Sequence, residues 1–121
     1  MEELLKKSDV VTLHLPLDDS TINIISADRL DLMKNGAVLI NLARGGLIDE
    51  NHLLECLKSN KLSGAALDVF AKEPPTLTAF SGLDNVLITP HIGGSTEEAI
   101  LAMGLSAIEG LDNAKDSLTY L

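Results

Sequence analysis

Four residues able to divide acid-base and anion-binding work fall at or just beyond the ends of apolar runs. They are Arg44 in "INLARGGLIDE", Asp68 in "AALDVF", Glu73 in "AKEPP" and His91 in "TPHIGGST". A planar guanidinium such as Arg44 can take a carboxylate bidentately, and the adjoining Gly45 and Gly46 would let backbone N–H groups approach a ligand without interference from a Cβ. Taken alone, Arg44 reads equally well as an ion-pair partner of Asp49 or Glu50. His91 taken alone reads as a hydrogen-bonded structural histidine, but its place between a proline and a glycine pair, just ahead of a helix, favours a functional role. If the Glu73 carboxylate reaches it, the imidazolium is favoured, which suits a histidine to proton transfer. Asp68 is an acid inside an aliphatic run. An unpaired carboxylate within a sheet is costly, so it lies at an open strand end or accepts hydrogen bonds. His14 and His52 read as structural or surface residues, Cys56 as a packed thiol, and no set of metal ligands is singled out.

The elements that must position these residues alternate in period. "VVTLHL" (Val10 to Leu15), "AVLINL" (Ala37 to Leu42), "AALDVF" (Ala65 to Phe70) and "NVLIT" (Asn85 to Thr89) read as buried strands. Helical stretches separate them: "EELLKKS" ahead of the first, "ADRLDLMK" capped by Ser26, and "ENHLLECLKSN" capped by Asp49. A last long helix repeats Leu101, Leu105 and Ile108 on one face behind a Ser95/Glu98 capping box. Strands joined through helices imply right-handed crossovers and a parallel sheet. "AKEPPTLTAFSGLD" (Ala71 to Asp84) is the irregular exception. In such a sheet ligands bind beyond the carboxyl ends of the strands, where helix N-termini and loops converge. Strand one delivers His14, Leu15 and Pro16 there; strand two delivers Asn41, Ala43 and Arg44; strand three Asp68 and then Glu73; strand four Thr89, Pro90, His91, Gly93 and Gly94.

Composition sets the limits. With 121 residues, 45% hydrophobic and a mean hydropathy of +0.21, one globular domain is expected. Aromatic residues make up only 2%, so the core must be aliphatic. A formal net charge of -9 argues against nucleic acid and an acidic membrane surface as partners, because both call for a basic footprint. "MEELLKKSD" has no apolar signal core, no run approaches the roughly 20 residues of a membrane span, and a single cysteine forms no internal disulfide. A reducing, cytoplasmic setting is expected.

"DVVTLHLPL", "GAVLINLARGGLIDE", "GAALDVFAKEP" and "NVLITPHIGGSTEEA" occur in that order and together resemble the NAD-dependent D-2-hydroxyacid dehydrogenases, most closely the D-3-phosphoglycerate dehydrogenase branch. The resemblance runs from about Asp9 to about Ala99. It implies that Arg44 binds the substrate carboxylate and that His91 exchanges a proton with the substrate, paired with Glu73. It further implies that Asp68 meets the nicotinamide carboxamide, that Ala43, Gly93 and Gly94 line the nicotinamide, and that His14, Leu15 and Pro16 pass the adenosine side of NAD. Asn60 stands where the family commonly has glycine, a position that asks for a left-handed backbone. No G-x-G-x-x-G occurs in the chain, nor the ribose-holding acid that follows it.

The expected fold is therefore α/β, half of a Rossmann-type doubly wound fold, with four parallel strands and helices on both faces. Residues 1–121 would form a single domain, the second half of a dinucleotide-binding domain, with the other half and the substrate domain absent. The implied activity is oxidation of a small 2-hydroxy acid, or reduction of the 2-oxo acid, with NAD, in serine biosynthesis for the phosphoglycerate branch. The chain by itself is expected to be inactive. An alternative is a non-catalytic, flavodoxin-like half-domain. A receiver domain fits less well, since no acid pair follows the first strand. Strand one, central in a full fold, would be an exposed edge here and is expected to drive a homodimer through Val10 to Leu15.

Overall fold

Parallel pairing runs through the whole sheet. A computed structural model describes residues 1–75, 79–80 and 82–114, with strands β1 (Val10–Leu13), β2 (Ala37–Asn41), β3 (Leu62–Leu67) and β4 (Val86–Ile88) in the order β1-β2-β3-β4. Val11 registers with Leu39, Leu39 with Ala65 and Ala65 with Val86, all in parallel. Helices α1 (Glu2–Lys7), α2 (Ala27–Leu32) and α3 (Glu50–Lys58) alternate with these strands, and α4 (Glu97–Asp112) follows β4. The four-stranded parallel α/β architecture read from the sequence is present.

Three of the strands are shorter than their apolar runs. β1 stops at Leu13 rather than Leu15, β2 at Asn41 rather than Leu42, and β4 covers only Val86–Ile88. β3 is shifted: it begins at Leu62, three residues before the expected start, and ends at Leu67, leaving Asp68 just outside the ladder. Residues such as Ser63 and Gly64 hid its beginning, because neither reads as strand from propensity.

Alternation along the strands decides which face is buried. Val11, Leu13, Leu39, Ala65 and Leu67 point into a core shared with Leu5, Leu30, Leu53 and Leu57 from the helices. On the opposite face Val38, Ile40 and Ala66 are half-buried, and Val10 and Leu87 are 55% and 66% exposed. Helices were expected on both faces. α1 to α3 serve one, because strands added in sequential order through crossovers of one hand place every connecting helix on the same side.

Two caps differ from expectation. Asp49 accepts from the His52 backbone N–H at 3.1 Å, as a capping carboxylate should. Ser26 occupies the N-cap position of α2 without a side-chain capping bond. α4 is capped by Thr96, which accepts from Ala99 N at 3.2 Å, rather than by a Ser95/Glu98 box. Ser95 N–H is already committed to the Ile92 carbonyl at 2.9 Å, so the helix starts one residue later. Asn60 adopts φ +57°, the left-handed conformation expected of it.

The chain divides into two compact units, Met1–His91 and Ile92–Leu121. The second contains α4, which buries none of its side chains; Ile100, Leu101, Leu105 and Ile108 are all more than half exposed. No helix among the described residues is long and apolar enough to cross a membrane.

Candidate active site

Because all four strands run the same way, their carboxyl ends share one margin, and four loops leave it. His14–Pro16 follow β1, Leu42–Arg44 follow β2, Asp68–Phe70 follow β3 and Thr89–His91 follow β4. The loop after β2 is fixed from below. Asn41, 1% exposed at the end of its strand, takes the Ala43 N–H on Oδ1 at 3.1 Å and donates Nδ2 to the Arg44 carbonyl at 2.8 Å. Both backbone groups of this tight bend are thereby paired, and the Arg44 side chain stands exposed at the rim.

The acids that might have held Arg44 are engaged elsewhere. Asp49 caps α3, and Glu50 accepts from the Ala71 N–H at 2.6 Å. Burial pushes the Glu50 carboxyl up; the Ala71 N–H opposes this and the Glu73 charge adds to it. Among the described residues Arg44 makes no ion pair, its Nη1 resting on the Ala43 carbonyl at 2.6 Å. The ion-pair reading of Arg44 is therefore set aside.

The glycines beside it have a packing reason. A Cβ on Gly45 would lie 1.8 Å from the Phe70 carbonyl carbon and 2.2 Å from Ala71 N, so this backbone abuts the loop after β3. At Gly46 a Cβ would meet only the Leu17 side chain, at 3.1 Å. Gly45 brings two rim loops together.

Glu73 and His91 are joined. His91 Nδ1 lies 2.8 Å from Glu73 Oε2, while Glu73 Oε1 accepts from the Phe70 N–H at 3.0 Å. One carboxylate thus anchors its own loop and orients the imidazole. The His91 bond first, and the Phe70 N–H second, hold the Glu73 carboxyl below the usual carboxylate range. His91 itself has φ +54°, a left-handed backbone that a residue with a Cβ adopts at a cost of about 1–2 kcal/mol. With Nδ1 held by the acid, Nε2 is the nitrogen left to exchange a proton.

Asp68 satisfies both halves of its sequence reading. It is 3% exposed, sits directly past β3, and accepts from Thr89 Oγ1 at 2.5 Å. Its own N–H donates to the Asn41 carbonyl at 3.1 Å, which links the ends of β2, β3 and β4.

Three clefts open along this margin. One, of about 290 Å³, is lined by Arg44, Glu73 and His91 together with Leu17, Gly46 and Phe70. A second, of about 250 Å³, shares Glu73 and His91 and adds Asp68, Thr89 and three prolines. The third, of about 320 Å³, is lined by His14, Leu15, Pro16, Leu42, Ala43 and Arg44. Arg44 lines both the first and the third, and so stands between the residues expected on the cofactor side and the His91–Glu73 pair. Gly93 and Gly94 belong to the Ile92–Leu121 unit, which is described by itself.

Sequence reasoning gave no role to Asn41 or Thr89. A buried amide closing the apolar run "AVLIN" was the available signal for the first.

The sequence pattern of the D-isomer specific 2-hydroxyacid dehydrogenase NAD-binding domain matches residues 1–93. The chain belongs to that family. The D-3-phosphoglycerate dehydrogenase of Methanocaldococcus jannaschii is 50% identical over 109 residues, covering 90% of this chain and 21% of that protein. A glyoxylate reductase from Paecilomyes thermophila superposes with a TM-score of 0.89 at 40% identity, over 93% of this chain and 34% of the other. An NAD-complexed D-isomer specific 2-hydroxyacid dehydrogenase from Lactobacillus delbrueckii ssp. bulgaricus superposes at 0.83 with 32% identity, over 97% of this chain and 41% of the other. The chain thus spans between about a fifth and two fifths of the length of these 2-hydroxyacid dehydrogenases, within their NAD-binding domain.

Proposed function

We propose that this chain carries the substrate-carboxylate and proton-transfer residues of an NAD-dependent D-2-hydroxyacid dehydrogenase, with D-3-phosphoglycerate as the favoured substrate. The observation that carries the proposal is the single cleft lined by Arg44, Glu73 and His91. In this reading Arg44 binds the carboxylate of the 2-hydroxy or 2-oxo acid, as a fork of two parallel hydrogen bonds. His91 gives or takes the hydroxyl proton through Nε2, and Glu73 fixes its orientation and stabilises the imidazolium form. Asn41 is a positioning residue, since it sets the bend from which Arg44 projects. The preference for phosphoglycerate rests on the archaeal relative at 50% identity.

NAD, when bound, supplies the hydride acceptor or donor. Ala43 and Asp68 would meet its nicotinamide end, Gly93 and Gly94 would line the same ring, and His14, Leu15 and Pro16 would meet the adenosine side. The cleft lined by His14, Leu15, Pro16, Leu42, Ala43 and Arg44 lies where the adenosine side would pass, but the chain has no G-x-G-x-x-G to hold a pyrophosphate. By this account the 121 residues form the second half of a dinucleotide-binding domain. They bind NAD weakly or not at all by themselves, turn over no substrate alone, and act in the cytoplasm.

A second reading is favoured by one feature, the uncovered edge and face of β1. It describes a non-catalytic half-domain that self-associates, a homodimer through Val10–Leu15.

Titration of the isotopically labelled chain with D-3-phosphoglycerate, followed by NMR, tests the first reading. Perturbations are expected at Arg44 and His91 and are expected to disappear in Arg44→Ala. Perturbations elsewhere, or persistence in that variant, would overturn the assignment of Arg44. In parallel, NADH calorimetry and a turnover assay are expected to show neither tight binding nor activity; turnover at the rate of a whole dehydrogenase would refute the inactive-fragment reading.

A further inference from the structure

On the helical side of the sheet, away from the strand ends, three side chains converge that the site at the rim does not use. His52 and Cys56 lie four residues apart on α3, and so project from consecutive turns on one face. Asp31 reaches them from α2, its Oδ1 at 2.9 Å from His52 Nε2. One ligand-competent atom from each of the three lies within 4.8 Å of the other two. We propose that Asp31, His52 and Cys56 form a binding site for a divalent transition metal of the zinc class, clamping α2 to α3.

The geometry is close to what such an ion needs. Bonds of about 2.0–2.3 Å to nitrogen, oxygen and sulfur in a tetrahedron place ligand atoms roughly 3.3–3.8 Å apart, so side-chain adjustments on the order of 1 Å suffice. The donor set is selective as well. An imidazole and a thiolate suit Zn²⁺ or Co²⁺, whereas Mg²⁺ and Ca²⁺ take oxygen ligands. Charge balances too: a thiolate and a carboxylate neutralise one dication. The environment is graded from dry to wet, with Cys56 only 4% exposed, the His52 side chain 31% and the Asp31 side chain 62% exposed. Three protein ligands with the open side toward solvent leave the fourth position to water.

The backbone prepares the pair on α3. Asp49 caps the helix through the His52 N–H, which fixes the first turn from which that ring projects. The cation has a proton to displace, because a cysteine binds such an ion as its thiolate. Binding therefore releases that proton as the thiolate–metal bond forms, with no change of oxidation state.

The 121-residue chain titrated with Co²⁺ provides the test, since a cobalt–thiolate bond produces a near-ultraviolet charge-transfer band and a four-coordinate ion gives intense visible bands. One equivalent is expected to bind, with both features present and displaced by Zn²⁺ but not by Mg²⁺. Cys56→Ser is expected to abolish the charge-transfer band. His52→Gln and Asp31→Asn, both on partly exposed side chains, are each expected to weaken binding by at least the roughly 10–100-fold typical of losing an outer partner. Zn²⁺ is also expected to raise the melting temperature of the wild type and not of His52→Gln, which keeps the test decisive if the cysteine variant folds poorly. Absence of a charge-transfer band at millimolar Co²⁺, or wild-type affinity in His52→Gln, would overturn the site and leave an ordinary His52–Asp31 ion pair.

Discussion

Glu73 is the residue whose two oxygens tie the chemistry of the cleft to its folding. One is spent on the Phe70 N–H and the other on His91, and together they hold its carboxyl low. The folded value lies below the unfolded one, so the carboxylate contributes stability at neutral pH that is lost as the pH falls through the folded value. Glu73→Gln removes this dependence. The urea midpoint of the variant is expected to lie below that of the wild type at pH 7, with the gap closing below about pH 4, where the unfolded carboxylate is itself protonated. A gap unchanged down to strongly acidic pH would mean that the two bonds do not depend on the charge. The pairing of Glu73 with His91 and the place of Asp68 at a strand end were legible beforehand, since these are polar residues at or just past apolar runs. Asn41 and Thr89 were not, because their part is to satisfy neighbouring groups once the loops are folded, and no spacing rule announces that.

At the scale of elements, the apolar runs extend past the carboxyl ends of the strands and into the loops of the site. Past β2, β3 and β4, side-chain hydrogen bonds join the loops at the rim. Asn41 receives the Ala43 N–H immediately after β2, and Asp68 receives the Thr89 hydroxyl immediately after β3 and β4. Gly45 is where two of the resulting loops touch. Gly45→Ala forces a methyl group against the Phe70 carbonyl carbon, which is backbone and cannot swing aside. It is expected to destabilise the chain by at least about 1–3 kcal/mol, the usual cost of overpacking, and to separate Arg44 from Glu73 and His91. Gly46→Ala meets only the movable Leu17 side chain and is expected to cost clearly less. Urea denaturation of the two variants side by side checks the order; equal losses would show that loop contact is not what the first glycine serves. The pattern of two glycines was visible in the sequence, but which of them was indispensable depended on a contact with residues 25 positions away.

The whole molecule adds a consequence of strand order. Sequential addition of β1 to β4 with crossovers of one hand places α1 to α3 over a single face, and within the Met1–His91 unit the other face presents Val10, Val38, Ile40, Ala66 and Leu87. β1 also ends the sheet on one side, so the same strand offers both unpaired backbone groups and an apolar flank. A net charge of -9 opposes association at long range, but the repulsion is screened beyond about 8 Å at physiological salt, whereas burial of the flank acts at contact. Contact is expected to prevail. Light scattering at high micromolar concentration is expected to give twice the chain mass of 12.9 kDa, rising with added salt as the repulsion is screened. Val10→Lys places a charge on the edge strand at a position already 55% exposed, so it leaves the core intact and is expected to return the chain to monomer. A wild type that remains monomeric under those conditions would show that the uncovered edge and flank are tolerated in water, and the self-associating half-domain would then have no physical basis.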